Sequence, residues 1–272
     1  MINGNADISI QHKDVVVSGD IALFVENVVL AFGGLTVLNG ISLNVRMGEL
    51  LALIGPNGAG KTSVLNCISG LYRPSSGSIR VGATDITGFR PDRVARLGVS
   101  RTFQHGELFP QMSVIDNLLT ARHARIHTAA LSEIFRTRAA RREEDRHRAH
   151  VESVLKFVEL ERHRDAIAGA LSFGQQKIVG FARALATEPS VLLLDEPSAG
   201  LSRDDREGLA YLILKSKSSL GLPVIWIEHD MEMVSDLADR IHVLDYGRSL
   251  ADGAPRDVLE NREVIKAYLG EA

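Results

Sequence analysis

The chain has 272 residues and a formal net charge of −3, with 45% hydrophobic and 24% charged residues. This near-neutral balance argues against a dedicated nucleic-acid-binding protein, which usually carries a clear basic excess. Cys67 is the single cysteine, so no disulfide can form within the chain and the composition suits a reducing compartment. The densest apolar runs, Leu50–Ile54 and Val191–Leu194, are far shorter than the ~20 residues needed to cross a bilayer.

The N-terminal part of the sequence changes character near Ile21. Residues 1–20 lack the basic lead and apolar core of a signal peptide, and we expect a disordered tail. The following pattern predicts strands at residues 24–32, 41–46 and 50–55 and a small hairpin over residues 78–86, with breaks at Gly33-Gly34 and Asn39-Gly40. The run at Leu50–Ile54 is apolar throughout, which is typical of a strand buried on both faces.

The middle of the chain, from about Ser113 to Arg164, is helical in pattern and dense in charge. Residues 121–150 contain eight arginines and four histidines against four acidic residues. We expect a solvated helical surface there, because a nucleic-acid patch would need interleaved aromatic side chains.

The last hundred residues alternate between strand and helix patterns. Apolar runs predict buried strands at residues 191–194 and 223–227, and helices are predicted at 175–186, after Ser202 and after a capping Asp230. A hairpin at residues 240–253 and a short helix follow. This alternation favours a mainly parallel α/β sheet with a helical insert.

Residues 55–62, with the sequence GPNGAGKT, match the phosphate-loop pattern GxxxxGK[ST] between an apolar strand and a helical stretch. The glycines allow the backbone N–H groups to turn inwards, and the helix N-terminus adds partial positive charge. We expect Lys61 to reach the β- and γ-phosphates of a nucleotide and the Thr62 hydroxyl to bind Mg²⁺.

Further polar residues follow the other predicted strands. Asp195 and Glu196 end the apolar run at 191–194, where α/β sheets place their ligands. Asp195 suits a Mg²⁺ shell, directly or through water, and Glu196 can polarise an attacking water. Two interpretations remain open for His229: a contact to the γ-phosphate or to water, or a structural histidine. Two also remain open for Gln104: a contact to a metal ion or to water, or an ordinary polar loop residue.

The segment LSFGQ at residues 171–175 predicts the start of a helix. Ser172 and Gln175 have the spacing of an S-x-x-Q capping box. A capped helix N-terminus still presents N–H groups, so the same segment can also bind a phosphate.

Five elements follow one another along the chain: GPNGAGKT, Gln104, LSFGQ, LLLDEP and His229. In this order they resemble the ATP-binding subunit of an ABC transporter, and the resemblance covers Ile21–Ala272. The resemblance implies an α/β fold: a P-loop NTPase (RecA-like) core with an antiparallel β subdomain and an inserted α-helical subdomain. The core would span about 21–102 and 177–272, and the helical subdomain about 103–176. It also implies a head-to-tail dimer with ATP between the phosphate loop of one subunit and the LSFGQ segment of the other.

Carried over residue by residue, the resemblance assigns the remaining site. Glu196 would be the catalytic carboxylate, with His229 as the switch histidine, and Thr62, Gln104 and Asp195 would meet Mg²⁺. The residues implied to hold ATP are Phe32, which would stack on adenine, Asn57, Gly58, Ala59, Gly60, Lys61, Thr62 and Ser63 around the phosphates, and Ser172, Gly174 and Gln175 facing the partner's nucleotide.

Two residues depart from the family pattern. Phe173 stands where most relatives have glycine, and Ser202 stands where an aspartate is frequent in the turn that follows LLLDEP. Ser172 and Gly174 are intact beside Phe173, so we expect activity. The turn at Ser198–Leu201, which the resemblance implicates in communication across the dimer, is altered by Ser202.

Four stretches are FGGLTVLNGISL, SRTFQHGELFPQMSVIDNL, IEHDMEMV and the final AYLGEA. Within the ABC family, they most resemble an ATPase subunit of branched-chain (hydrophobic) amino acid importers. Such a subunit implies transmembrane permease partners docked at about Gln104–Asn117, an identical or related ATPase partner, and indirect contact with a solute-binding protein. It implies a peripheral location at the cytoplasmic face of the membrane. Urea-type uptake, lipopolysaccharide export and a soluble non-transport ABC ATPase remain alternatives, whereas a P-loop kinase does not explain LSFGQ and His229 together.

Overall fold

A computed structural model of the chain describes residues 20–102, 108–125 and 138–269. These residues fall into two compact units. The helical unit comprises residues 108–125, 138–189 and 201–209, and the sheet unit comprises residues 20–102, 190–200 and 210–269. The expected disordered tail lies outside the described residues except for Asp20. The helical unit continues beyond residue 176, and the subdomain limits implied by the resemblance remain a prediction.

The elements of the described residues are numbered here in chain order. The strands are β1 (Ile21–Phe32), β2 (Leu35–Arg46), β3 (Leu50–Ile54), β4 (Ser76–Val81), β5 (Thr84–Asp85), β6 (Val99–Thr102), β7 (Val191–Asp195), β8 (Val224–Ile227), β9 (Arg240–Asp245) and β10 (Arg248–Gly253). The helices are α1 (Lys61–Ile68), α2 (Pro91–Arg96), α3 (Val114–Ala121), α4 (Arg138–Phe157), α5 (Phe173–Ala186), α6 (Arg203–Leu220), α7 (Met231–Leu237), α8 (Pro255–Leu259) and α9 (Arg262–Leu269). The sequence pattern predicts neither α2 nor β6, which are both short.

The larger sheet has six strands in the order β10-β9-β3-β8-β7-β6. All neighbouring strands run parallel except β10, which is antiparallel to β9, so the expectation of a mainly parallel sheet is confirmed. Strands β3, β7 and β8 are buried along their whole length, which explains their unbroken apolar sequences. Leu53 and Asp195 both pair with Ile227, so these three strands end at the same edge of the sheet.

The smaller sheet is antiparallel, with the strand order β2-β1-β4-β5. Gly33 and Gly34 form the predicted turn between β1 and β2, with positive φ values of 52° and 91° that favour glycine. The predicted break at Asn39-Gly40 is wrong, because β2 continues through both residues. Gly40 lies where the pairing with β1 shifts register, so it forms a bulge rather than a turn.

Helices α3, α4 and α5 pack on one another in the helical unit. Their contact buries apolar side chains that recur at helical spacing, including Leu118, Val151, Val154 and Val179. The expected solvated surface over residues 121–150 is only partly correct among the described residues, because Arg122 and Glu143 are buried. Within the described part of the chain, no helix is both long enough and apolar enough to cross a bilayer.

Candidate nucleotide-binding site

The phosphate loop, residues 55–62, connects β3 to the start of α1. Only glycine fits at position 55, because a Cβ there would lie 2.1 Å from the Leu244 carbonyl oxygen. Gly60 precedes α1 in a left-handed conformation, and no described side chain caps the helix at that position. The first N–H groups of α1 are therefore suited to an anion such as a phosphate.

Lys61 is buried within the loop that it closes. Its Nζ donates hydrogen bonds to the carbonyl oxygens of Gly55 at 2.6 Å and Pro56 at 3.0 Å. Burial lowers the pKa of Lys61, and the carboxylates of Glu196 and Asp195 act in the opposite direction. The electrostatic influence of these carboxylates indicates that the loop and the end of β7 form one charged site.

Asp195 ends β7 with a side chain that is almost fully buried. Its Oδ2 accepts a hydrogen bond from Arg101 Nη2 at 2.7 Å. Its Oδ1 is buried and has no hydrogen-bond partner within the described residues. Because a buried carboxylate oxygen left unpaired is costly, Oδ1 fits a metal ion or a metal-bound water.

Glu196 and His229 meet at the ends of β7 and β8. The Nε2 atom of His229 lies 2.8 Å from Oε1 of Glu196. The backbone N–H of Glu196 donates to the Ile227 carbonyl oxygen at 3.1 Å, which joins the ends of the two strands. The two residues singled out separately in the sequence thus form one hydrogen-bonded pair.

Glu228 is a buried residue of this site that sequence reasoning missed. Its Oε1 accepts hydrogen bonds from the Ser198 backbone N–H at 3.3 Å and from the Ser198 hydroxyl, and its Oε2 accepts one from the His229 N–H at 3.0 Å. Glu228 therefore ties the turn after β7 to the end of β8. The available signal was a carboxylate directly after four buried apolar residues.

Arg101 was missed as well. It lies on β6, three residues before Gln104, and its Nη1 donates to Asn66 Oδ1 at 2.6 Å. Gln104 itself lies outside the described residues.

Phe32 and Tyr72 form an exposed aromatic pair in the sheet unit. Their ring centroids are 5.1 Å apart in an edge-to-face arrangement, and Phe32 is 49% exposed at the end of β1. An exposed aromatic ring can stack on a planar base.

The C-terminal helix also reaches the phosphate loop. Burial raises the pKa of Tyr268 to about 12, and the nearby Gly55 backbone N–H acts in the opposite direction. Tyr268 lies in α9, so α9 contacts the first residue of the loop.

The LSFGQ segment lies in the helical unit and begins α5. The predicted capping box is confirmed, since Ser172 Oγ accepts from the Gln175 N–H at 3.2 Å and Gln175 Oε1 accepts from the Ser172 N–H at 3.1 Å. Phe173 is 54% exposed beside Lys177. Gly174 lies against the Asp205 carboxylate, which Ser202 holds through a 2.7 Å hydrogen bond, so Ser202 acquires a structural role at the start of α6.

The expected docking segment, Gln104–Asn117, is described only from residue 108. Asn117 is fully buried there. Its Oδ1 accepts from the Phe109 N–H at 2.8 Å, and its Nδ2 donates to the Phe109 carbonyl oxygen at 3.0 Å. This pairing holds Phe109 in place while its ring stays 48% exposed.

Known proteins resemble this chain in sequence and in fold. A family model described as ABC transporter matches residues 38–199, and one described as branched-chain amino acid ATP-binding cassette transporter matches residues 248–272. The "high-affinity branched-chain amino acid transport ATP-binding protein" BraF of Pseudomonas aeruginosa is 42% identical, and the protein of the same description LivG of Escherichia coli is 39% identical. Each alignment covers 92% of this chain and 98% of the relative.

A solved ATP-binding cassette of an ABC transporter, in its ADP conformation, has a similar fold. It superposes with a TM-score of 0.80 at 31% identity, over 92% of this chain and 99% of the solved one. A nucleotide-free cassette gives the same TM-score and identity. The chain therefore belongs to the family of ATP-binding cassette proteins of ABC transporters.

Proposed function

We propose that this chain binds ATP and hydrolyses it to ADP and phosphate, and that it thereby drives an ABC importer of branched-chain or other hydrophobic amino acids. Members of its family are the ATP-hydrolysing subunits of transporters. The substrate class is supported by the names of BraF and LivG and by the branched-chain family match at residues 248–272. The solute itself is selected by other subunits.

The observation that carries this proposal is the convergence of charged groups at one edge of the sheet. Strands β3, β7 and β8 are neighbours with aligned ends. Asp195 is the last residue of β7, and Lys61, Glu196 and His229 follow the three strands. A cation for the phosphates, an unpaired carboxylate oxygen and a carboxylate–histidine pair are the groups that phosphoryl transfer to water needs.

ATP is bound by the loop and by an aromatic ring. The backbone N–H groups of Asn57–Ser63 and the Lys61 ammonium hold the phosphates, and Phe32 stacks on adenine. The uncapped start of α1 and the half-exposed ring of Phe32 support these roles. Ser172, Gly174 and Gln175 contact the nucleotide of a second ATPase subunit.

Mg²⁺ fits the oxygen atoms at this edge. Asp195 Oδ1 is such an atom, and the Thr62 hydroxyl and the Gln104 amide, which we assign from the resemblance, are further hard oxygen ligands of the type that Mg²⁺ prefers. No cluster of three or more His, Cys, Asp or Glu side chains within the described residues is arranged to hold a metal, and Mg²⁺ needs none because phosphates and water supply most of its shell. When bound, Mg²⁺ neutralises charge on the phosphates.

Glu196 accepts the proton of the attacking water. His229, 2.8 Å away, orients the Glu196 carboxylate. Glu228 fixes the backbone of His229 and of Ser198, so the pair is held on both sides. Glu196 is thus a catalytic base that a neighbouring group, His229, orients, which is a common arrangement in enzymes.

The partners are those of an ABC importer. Permease subunits dock at about Gln104–Asn117, and the chain works as a dimer with an identical or related ATPase at the cytoplasmic face of the membrane. A solute-binding protein delivers the amino acid on the opposite side. The exposed Phe109 ring supports a protein contact at the docking segment.

The hydrolysis step is tested with Glu196→Gln. We expect this variant to retain ATP affinity, to lose about 100-fold or more of its turnover, and to accumulate as an ATP-bound dimer in size-exclusion chromatography. Glu260→Gln, a change of the same kind at an exposed residue of a surface pair with Arg256, is the matched control and should match the wild type. Undiminished hydrolysis by Glu196→Gln would remove Glu196 from the mechanism.

A further inference from the structure

Arg101 is buried at the edge of the candidate site. It lies on β6, next to β7, with a side chain that is 6% exposed, and its ion-pair partner Asp195 is 4% exposed. Buried ion pairs often add little net stability, because desolvation of both charges offsets their attraction. Stability alone is therefore a weak reason for an arginine at this position.

The guanidinium group connects two elements of the site. Nη2 donates to Asp195 Oδ2 at 2.7 Å, and Nη1 donates to Asn66 Oδ1 at 2.6 Å and to Ser69 Oγ at 3.3 Å. Asn66 belongs to α1, the helix that begins with Lys61 and Thr62. Arg101 thus fixes the end of β7 against the helix of the phosphate loop.

The contact also distinguishes the two oxygens of Asp195. Oδ2 is occupied by Arg101, whereas Oδ1 is buried without a hydrogen-bond partner within the described residues. A rotation of the carboxylate would break the charged hydrogen bond to Arg101. The carboxylate oxygen that does not bond Arg101 is therefore held in one position.

We propose that Arg101 is a positioning residue for the magnesium site. It holds the Asp195 carboxylate against α1 so that Oδ1 enters the metal shell, directly or through water. This inference rests on the proposed nucleotide function. Lysine cannot replace arginine fully, because two diverging donors are needed to bond Asn66 and Asp195 at once.

The test measures the binding of a fluorescent ADP analogue as Mg²⁺ is added. The Mg²⁺ midpoint is the Mg²⁺ concentration at which tight binding of the analogue is half-saturated. The affinity for the same analogue is measured separately in a chelator, without Mg²⁺. We expect Arg101→Met to raise the Mg²⁺ midpoint about tenfold, since partners that orient metal ligands typically account for this much metal affinity. The affinity in the chelator should stay within about twofold of the wild type, because Asp195 acts through the metal.

Arg240→Met is the matched control. Arg240 bonds Glu49 and Asp252, and its side chain is 19% exposed. In the sheet, Arg240 pairs with Leu51 near the start of β3, whereas the phosphate loop follows the other end of that strand. Its loss removes comparable ion pairs and should leave the Mg²⁺ midpoint unchanged.

Two milder variants keep the test decisive if Arg101→Met does not fold. Asn66→Ala removes the shorter of the two Arg101 contacts at α1 and leaves the contact to Asp195, and Arg101→Lys keeps the charge. Each should raise the midpoint about threefold, less than the loss of the whole arginine side chain. An unchanged midpoint in the folded Arg101 variants, or an equal loss of affinity with and without Mg²⁺, would overturn the inference. Failure of the wild type to bind the analogue would instead contradict the proposed function.

Discussion

Glu196 lies at the point where β7 ends and its backbone has a φ of 48°, which non-glycine residues rarely adopt. This conformation costs about 1–2 kcal/mol, so the surroundings must hold it. The Glu196 N–H donates to Ile227 at 3.1 Å, and the Ala199 N–H donates to the Glu196 carbonyl oxygen at 3.2 Å. A strained residue that its neighbours fix on both sides is typical of a functional site.

Gly174 supports a prediction at the same scale. A Cβ at Gly174 would lie 2.4 Å from Cγ of Asp205, whose carboxylate is held by Ser202. We expect Gly174→Ala to lower the free energy of unfolding by about 1–3 kcal/mol, measured by urea denaturation, because Asp205 must leave its position. Adding Asp205→Ala should recover most of this loss.

Gly208 in α6 is the control for that substitution. A Cβ at Gly208 meets no atom within 4 Å, and its backbone is helical. Gly208→Ala should raise the free energy of unfolding by up to about 1 kcal/mol, since alanine favours helix. Equal effects of the two alanine substitutions would refute the role assigned to Gly174.

At the scale of elements, a buried charge cluster joins α3, α4 and the end of α5. Arg122 donates to His147 Nδ1 at 2.8 Å, to the Ala186 carbonyl oxygen at 2.7 Å and to Glu188 at 2.9 Å. Arg125 donates to the Thr187 carbonyl oxygen at 2.9 Å. Two arginines thereby satisfy the carbonyl groups that α5 leaves unpaired at its C-terminus.

This cluster predicts a loss of stability in mild acid. Burial, and next the nearby charge of Arg122, lower the pKa of His150 to about 4, with Glu188 opposing. The pKa of an unfolded histidine is ~6.5, so between these values the unfolded chain binds more protons and stability falls as the pH falls. We expect the chain to lose about 1–2 kcal/mol between pH 7 and pH 5 through His150.

Urea denaturation followed by circular dichroism at both pH values measures this loss. His150→Gln should reduce the pH dependence, whereas His123→Gln, at an exposed position, should retain that of the wild type. The same pH dependence in His150→Gln as in the wild type would show that another group is responsible.

At the scale of the whole molecule, the sequence predicts features that depend on neighbours along the chain. The runs at β3, β7 and β8 are apolar throughout because each strand is buried on both faces, and the phosphate loop lies directly after one of them. Their alignment brings Lys61, Glu196 and His229 to one edge, as their positions after predicted strands and the family resemblance together suggest. The capping box at Ser172 is equally local.

Several residues whose partners are distant in sequence are not predicted. Arg101 bonds Asp195 across 94 positions, and Glu228 bonds Ser198 across 30. Arg122 was assigned to a solvated surface because its partners His147 and Ala186 belong to other helices. The sequence pattern at Asn39-Gly40 predicts a break between strands rather than a bulge, since only the pairing of β1 with β2 distinguishes the two. A one-dimensional pattern does not contain these pairings.

We infer that ATP hydrolysis by this chain drives the uptake of hydrophobic amino acids. The most direct measurement is ATP-dependent uptake of radiolabelled leucine into vesicles that contain the chain with its co-purified membrane partners and the solute-binding protein, with urea as the comparison solute. We predict leucine uptake that requires ATP, is lost with Glu196→Gln, and is not matched by urea. Leucine uptake that continues unchanged with Glu196→Gln, or uptake of urea alone, would contradict the account.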